Sequence, residues 1–197
     1  MEPNIEELRK NYESFADEKL IRIASEEATG LRPEALELLK QIIKERGLSQ
    51  SVAKGIDAQF KEIDENTLLE YCELLRRCPC PICNSVFDKL NATITGTTIS
   101  YIFLTSYRKE IKIGCPTCLD KQNNNAMIKS ALLGWWGFPW GVVRTPAALI
   151  FNNKMKKQNN LSEANDTLKA FVLGRIGRIE ANRNNPEGLS DIIQYIR

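Results

Sequence analysis

The chain has 197 residues, enough for one domain or two small ones, and 43% of them are hydrophobic, as in ordinary folded proteins. A formal net charge of +2 favours neither nucleic acid nor a membrane as partner, and the lack of histidine excludes His-based catalysis, His metal ligands and an imidazole pH switch. The opening Met1-Glu2-Pro3-Asn4 turns charged at once and does not resemble an export signal, so we expect a cytoplasmic protein, either free or peripheral to the inner membrane.

Residues 1–77 predict a helical region used for packing or docking. They carry 17 acidic and 12 basic residues, and their apolar side chains recur at helical spacing. Pro33 suits the first turn of a helix, and Gly47 suits the end of that helix. Residues 20–48 resemble short helical modules at the start of uncharacterised bacterial proteins, a resemblance that implies no chemistry.

Two Cys-Pro-x-Cys pairs are the strongest chemical signal in the chain. They are Cys80-Pro81-Ile82-Cys83 and Cys115-Pro116-Thr117-Cys118. Paired CxxC motifs in a reducing compartment more often bind metal than form disulfides, and tetrahedral Zn²⁺ accepts four thiolates at about 2.3 Å. We therefore predict that Zn²⁺ is bound by Cys80, Cys83, Cys115 and Cys118. Four thiolates leave no open position for water, so the metal is expected to be structural.

The interval between the pairs predicts a small antiparallel sheet. Residues 91–95, 97–105 and 108–113 are rich in β-branched and aromatic side chains, which predicts a hairpin or a three-stranded sheet. After the two pairs, Asn84 tolerates a left-handed backbone, whereas Leu119 does so poorly. The cysteine pairs and the strands between them resemble the zinc-ribbon proteins as a class, which implies a metal site and no particular function.

Alternatives to this zinc site remain open at the level of sequence. A redox dithiol is disfavoured because no βαβ pattern surrounds either pair. An iron–sulfur cluster or a single iron ion uses similar thiolates. Cys78 could replace one ligand or be a bystander, and Cys72 is expected to be a small buried hydrophobe.

Residues 121–160 predict a Trp-rich helical hairpin. All three tryptophans lie within residues 135–140, where glycines and prolines interrupt any single helix, so we expect helices at about 124–133 and about 145–157. Residues 121–162 contain six basic residues and no acidic one, which indicates a surface that meets anions. The predicted membrane or partner contacts are Trp135, Trp136, Phe138, Trp140, Lys129, Lys154, Lys156 and Lys157.

Three roles for this hairpin remain open: core packing against the ribbon, contact with the head-group region of a bilayer, and occupation of a groove on a partner protein. The run Gly134–Pro146, which reads Gly-Trp-Trp-Gly-x-Pro-Trp-Gly-x-x-x-Thr-Pro, resembles a stretch that follows zinc ribbons in uncharacterised bacterial proteins. Some of those proteins are membrane-associated, so the resemblance implies bilayer contact.

The predicted fold is α+β. It comprises a helical region (1–77), a four-cysteine ribbon sheet (78–120), the Trp-rich hairpin (121–160) and short C-terminal helices (161–197). Ser162 is the predicted N-cap of the first C-terminal helix.

These features favour a non-catalytic zinc-binding adaptor that docks to the cytoplasmic membrane face, or to a membrane protein, through the Trp-rich hairpin. The expected partner is a protein or an anionic membrane surface, and no small-molecule substrate is expected. The alternative is a zinc-ribbon protein that binds nucleic acid, in which Tyr101, Phe103 and Tyr107 could stack on bases. We expect no enzyme, because no nucleophile with a positioned base and no phosphate-binding loop is visible.

Overall fold

The computed structural model describes residues 5–48, 50–101 and 104–194, so Phe103 lies outside the described residues. Over these ranges the chain forms ten α-helices and a two-stranded antiparallel sheet, which confirms the predicted α+β class. The chain divides into two compact units. The first contains the N-terminal helices up to Tyr71 with Phe171–Ile192, and the second contains Cys72–Ala170 with the chain from Ile193 onwards. The four predicted segments stay a prediction about domain organisation.

The first unit is helical. Its N-terminal part comprises α1 (Ile5–Glu13), α2 (Asp17–Glu26), a 3₁₀ turn (Ala28–Gly30), α3 (Pro33–Glu45), α4 (Gln50–Phe60) and the start of α5 (Glu65–Arg76). From the C-terminal part it takes the end of α8 (Asp166–Leu173), then α9 (Ile176–Ala181) and most of α10 (Pro186–Gln194).

The core of the first unit is apolar. Leu20, Leu39, Ile42 and Ile56 are each 1% exposed or less, and each such side chain contributes roughly 1.5–3 kcal/mol by leaving water. The signals that bound α3 act as the sequence predicts. Pro33 occupies its first turn, and Gly47 follows its end with a φ of +63°, a conformation that favours glycine.

In the same unit, α4 and α9 approach closely through glycines. A Cβ atom on Gly55 would overlap the carbonyl oxygen of Gly177, and a Cβ atom on Gly177 would lie 2.6 Å from the carbonyl oxygen of Gly55. A residue larger than glycine at either position would therefore require the two backbones to shift apart.

The second unit is built on one long β-hairpin. Strand β1 (Asn91–Tyr101) pairs with β2 (Leu104–Gly114) in a continuous register from Asn91–Gly114 to Tyr101–Leu104. The three-stranded option is therefore wrong. Gly96 does not separate two strands but lies within β1, where a Cβ atom would come within 2.7 Å of the Tyr107 hydroxyl. Glycine is found inside strands where another group approaches closely.

Helices α6 (Pro116–Leu133) and α7 (Trp140–Lys156) pack against the hairpin as an antiparallel pair. Both are longer than the sequence predicts. Helix α6 begins at Pro116, the residue after Cys115, because proline suits the first position of a helix. Helix α7 begins at Trp140 and continues through Pro146.

The side chains between the hairpin and these two helices are mostly polar or small. Fully buried Asn152 accepts a hydrogen bond from the Gly96 amide at 3.1 Å and donates to the Gly96 carbonyl oxygen at 2.6 Å. The Ser130 hydroxyl accepts from the Thr98 amide at 3.0 Å, and the Ser100 hydroxyl donates to the carbonyl oxygen of Gly134 at 2.6 Å. Side-chain hydrogen bonds thus join β1 to α6, to α7 and to the connection between these helices.

Asparagine also caps the next helix. Helix α8 begins at Asp166, and the Asn165 side chain accepts from the Leu168 amide at 2.9 Å. The predicted cap at Ser162 is therefore wrong. Asn165 additionally donates to the Ala92 carbonyl oxygen at 2.6 Å, so this cap also fixes the start of β1. Among the residues that the structure describes, no helix has the length and apolar character needed to cross a membrane.

Candidate metal centre and exposed aromatic turn

The first cysteine pair lies on a tight turn before the hairpin. The Asn84 amide donates to the Cys80 carbonyl oxygen at 2.8 Å, and the Cys80 amide donates to the Ser85 carbonyl oxygen at 2.9 Å. Asn84 closes the turn with a φ of 58°, a left-handed conformation that asparagine tolerates, as expected.

The second pair lies at the start of a helix. Cys115 occupies the N-cap position of α6, Pro116 is its first residue, and Cys118 lies in its first turn. Leu119 continues the helix, so the strain that a left-handed backbone would cause at this position does not arise. The partial positive charge of a helix N-terminus favours thiolates over thiols.

The four sulfur atoms of Cys80, Cys83, Cys115 and Cys118 converge. All four Sγ atoms lie within 4.8 Å of one another, and those of Cys83 and Cys115 are 3.8 Å apart. Four sulfurs around a tetrahedral metal at 2.3 Å would be separated by about 3.8 Å. None of the six cysteines forms a disulfide. The group has the spacing and donor chemistry of a metal site.

Hydrogen bonds and burial shape the acidity of these thiols. Burial on its own raises the pKa of Cys80, but amide hydrogen bonds from Cys115, Ile82 and Cys83 outweigh it and lower that pKa from 9.0 to about 7. One of these bonds runs from the Cys115 amide to the Cys80 sulfur at 3.3 Å. Burial raises the pKa of Cys115 and, with the neighbouring thiols, that of Cys118. A divalent cation among the sulfurs would remove this penalty on further thiolates.

The two remaining cysteines lie outside this group. Cys78 is buried, and its thiol donates to the Leu74 carbonyl oxygen at 3.5 Å. Cys72 is fully buried, and burial raises its pKa to about 11, as expected for a cysteine that serves as a small hydrophobe.

A buried arginine supports the chain on both sides of the first pair, and nothing in the sequence pattern singled it out. The Arg76 side chain is 4% exposed and forms an ion pair with Glu73 at 2.7 Å. Its guanidinium also donates to the carbonyl oxygens of Leu90 at 3.0 Å and Ser162 at 2.7 Å. Arg76 thereby joins α5 to the residue that precedes β1 and to the chain before α8.

The four predicted aromatic contacts face solvent: three lie in the connection between α6 and α7, and Trp140 is the first residue of α7. Their exposed fractions are 44% for Trp135, 72% for Trp136, 83% for Phe138 and 61% for Trp140. We call these four residues the aromatic turn. The sequence left open a core-packing role, and the helices α6 and α7 do pack against the β-hairpin, but these four aromatic side chains do not take part in that core.

Glycines explain why the aromatic side chains face outwards. Gly134, Gly137 and Gly141 are buried, and a Cβ atom on Gly137 would overlap the Thr105 hydroxyl and lie 3.0 Å from the Ser100 Cβ. The inner side of the connection is filled by backbone, because the end of the hairpin leaves no room for larger groups. The large residues between these glycines point away from the hairpin.

The predicted lysines lie at different levels of the helix pair. Lys129 is exposed in the last turns of α6, close to the aromatic turn. Lys154 and Lys157 are exposed at the far end of α7, and the Lys156 ammonium donates to the Asn124 side chain at 3.1 Å. Arg144, another of the six basic residues of residues 121–162, is exposed four residues into α7.

Comparisons of the chain with protein-family models, with curated proteins and with solved structures gave no significant match.

Proposed function

We propose that this protein is a non-catalytic zinc-binding adaptor that docks on an anionic membrane surface through the aromatic turn. The metal holds the second unit together, and the aromatic turn contacts lipid. The docking proposal rests on one observation. Asparagine, serine and threonine are buried beside the β-hairpin, whereas tryptophan and phenylalanine face solvent, which is the reverse of the usual distribution of polar and apolar side chains.

Zinc is the metal that this donor set favours. Four thiolates with tetrahedral spacing suit Zn²⁺, and the same set accepts iron less commonly outside redox proteins. A structural role follows from the coordination number, since four sulfurs exclude a bound water. The chain also has no histidine to act as a general base.

A bilayer fits the aromatic turn for two reasons. Its four rings expose on the order of 500 Å² of largely apolar surface, as much as the largest patch on a typical soluble monomer. Tryptophan also favours the head-group boundary of a bilayer.

Charge complementarity favours anionic lipid. Residues 121–162 have six basic residues and no acidic one, and each basic residue near an anionic surface contributes about 1 kcal/mol. Lys129 and Arg144 are the basic residues of this segment nearest to the aromatic turn along the chain.

Vesicle flotation tests the proposal with a matched pair of variants. The zinc-loaded protein is expected to float with phosphatidylglycerol-rich vesicles and to stay in solution with phosphatidylcholine vesicles at the same salt concentration. Phe138→Ser should weaken flotation, whereas Phe87→Ser should not. Both rings are almost fully exposed in the second unit, at 83% and 93%, but Phe87 lies in the segment after the first cysteine pair.

Two outcomes would contradict the docking proposal. One is a protein that stays in solution with both vesicle types at low salt. The other is equal loss of flotation in the two phenylalanine variants. A retarded band with single-stranded RNA or duplex DNA at low salt, without flotation, would instead favour the nucleic-acid alternative.

A further inference from the structure

Three chain segments of the second unit end at the same level. Tyr101–Leu104 is the last register pair of the β-hairpin, α6 ends at Leu133, and α7 begins at Trp140. The hydrogen bond from Ser100 to the Gly134 carbonyl oxygen places the end of β1 beside the end of α6. The aromatic turn and the end of the hairpin therefore form one edge of the unit.

The last register pair of the β-hairpin is as exposed as the aromatic turn. Tyr101 and Leu104 are each 72% exposed, although they form the last register pair of an otherwise half-buried sheet. Exposure of this pair to water does not stabilise the fold. The pair extends the apolar surface of the aromatic turn. We call these two residues the hairpin tip.

We propose that the hairpin tip enters the bilayer together with the aromatic turn, so that the second unit contacts lipid by this edge and holds its metal centre away from the membrane. The inference rests on the proposed function, and it adds a second lipid-binding element that the sequence did not identify. The bound chemistry is an anionic phospholipid surface.

The spacing of charges along the elements sets the depth of insertion. Lys129 and Arg144 each lie four residues from their helix end at the aromatic turn, which is roughly 6 Å along the helix axis. Apolar groups of interfacial elements are buried to about 5–10 Å, so these two cations would lie at the level of the lipid phosphates.

Other charges lie farther from this edge. The first acidic residue of β2 is Glu110, six residues from Leu104, or roughly 20 Å along the strand. Lys154 is fourteen residues from Trp140, or roughly 21 Å along α7. Lys154, Lys156 and Lys157 therefore contribute less than Lys129 and Arg144, because charge interactions are screened within about 8 Å.

Depth-dependent fluorescence quenching tests this arrangement directly. The probe is a variant with Tyr101→Trp in a background of Trp135→Phe, Trp136→Phe and Trp140→Phe, mixed with phosphatidylglycerol-rich vesicles whose acyl chains carry bromine near the head group. The single tryptophan at position 101 should be quenched. If this variant floats and its tryptophan is not quenched, the hairpin tip does not enter the bilayer, while the docking proposal stands.

Two pairs of variants supply an independent readout by flotation. Leu104→Asp should weaken vesicle binding at least tenfold, whereas Leu161→Asp, which changes an exposed leucine elsewhere in the unit, should not. The double variant Lys129→Gln/Arg144→Gln should lose roughly 25-fold, about fivefold for each charge. The control Lys154→Gln/Lys157→Gln removes the same charge and should lose much less. Equal losses within either pair would overturn the inference, and failure of the unaltered protein to bind would overturn both proposals.

Discussion

The core of the helical first unit and the interface between the β-hairpin and α6 and α7 in the second unit bury different kinds of side chains. In the first, leucine and isoleucine fill the space between helices, as at Leu39 and Ile42. In the second, the space between the hairpin and α6 and α7 holds groups such as Asn123, Ser130 and Asn152. Burial of apolar groups is favourable in proportion to area, whereas each buried polar group must find a partner or cost about 1–3 kcal/mol.

Each unit therefore specifies its structure by a different kind of contact. The apolar core of the first unit tolerates changes of side chain that conserve volume. The polar contacts of the second unit fix the relative position of strand and helix, but they contribute little net free energy. We expect the second unit to depend on its metal for stability, and the first unit to be indifferent to it.

Loss of the metal is expected to reduce the stability of the second unit more than any other change. Cys83→Ser, or chelation of the native protein, should unfold the second unit, because the free energy of binding a structural zinc ion, on the order of 10 kcal/mol, is folding free energy. Hydrogen exchange read by mass spectrometry should then show full loss of protection in β1 and β2, with α3 protected as before. Metal content measured alongside should fall to zero.

Cys78→Ala is the control for this prediction. Cys78 is buried and lies two residues before the first cysteine pair, but its sulfur is not part of the four-sulfur group. The variant should retain its metal and the protection of the hairpin. Protection of β1 and β2 that survives chelation would show that the metal does not stabilise this unit.

A smaller effect is expected from one buried asparagine. Asn152→Leu conserves approximate volume but leaves the amide and carbonyl groups of Gly96 without their side-chain partner. The free energy of unfolding of the second unit should fall by about 3 kcal/mol. The exposed neighbour provides the control, since Asn153→Leu should change this value by less than about 0.5 kcal/mol.

Urea titration of the zinc-loaded variants, followed by hydrogen exchange in β1, would measure this difference. If Asn152→Leu were as stable as Asn153→Leu, the buried polar contacts of Asn152 would not contribute to the free energy of unfolding of the second unit. Apolar contacts would then hold the second unit together as they do the first.

Local sequence signals predicted the parts of the fold that depend on few residues. The ends of α3 follow from Pro33 and Gly47, and the convergence of the four cysteines follows from two short motifs joined by strands. The left-handed conformation of Asn84 agrees with the expected tolerance of asparagine for it. In each case the chemistry of a residue or of a short motif restricts the local backbone directly.

Other features depend on contacts between distant residues, which sequence patterns do not show. Gly96 suggested a break between strands, yet it continues β1 because Tyr107 and Asn152 approach its backbone. The tryptophans suggested core packing as readily as exposure, and only the fit of Gly137 against the hairpin end decided it. Arg76 looked like any surface charge, because its three partners are brought together by the fold.

The smallest of these effects concerns the glycine contact of the first unit. Gly55→Ala would place a Cβ atom against the Gly177 carbonyl oxygen, which belongs to rigid backbone. Alanine is favoured over glycine in a helix by about 1 kcal/mol, but overpacking costs typically 1–3 kcal/mol, so a net loss of about 1 kcal/mol is expected. Gly30→Ala is the control, because a Cβ atom there meets nothing within 4 Å. Hydrogen exchange should show faster opening of α4 in Gly55→Ala alone, with β1 unchanged. The first unit is stabilised by the burial of apolar area, so Gly55→Ala costs little free energy only if α4 and α9 can separate slightly. If Gly55→Ala were more stable than the unaltered protein, α4 and α9 would have to separate. The close contact between them would then not limit the stability of the first unit.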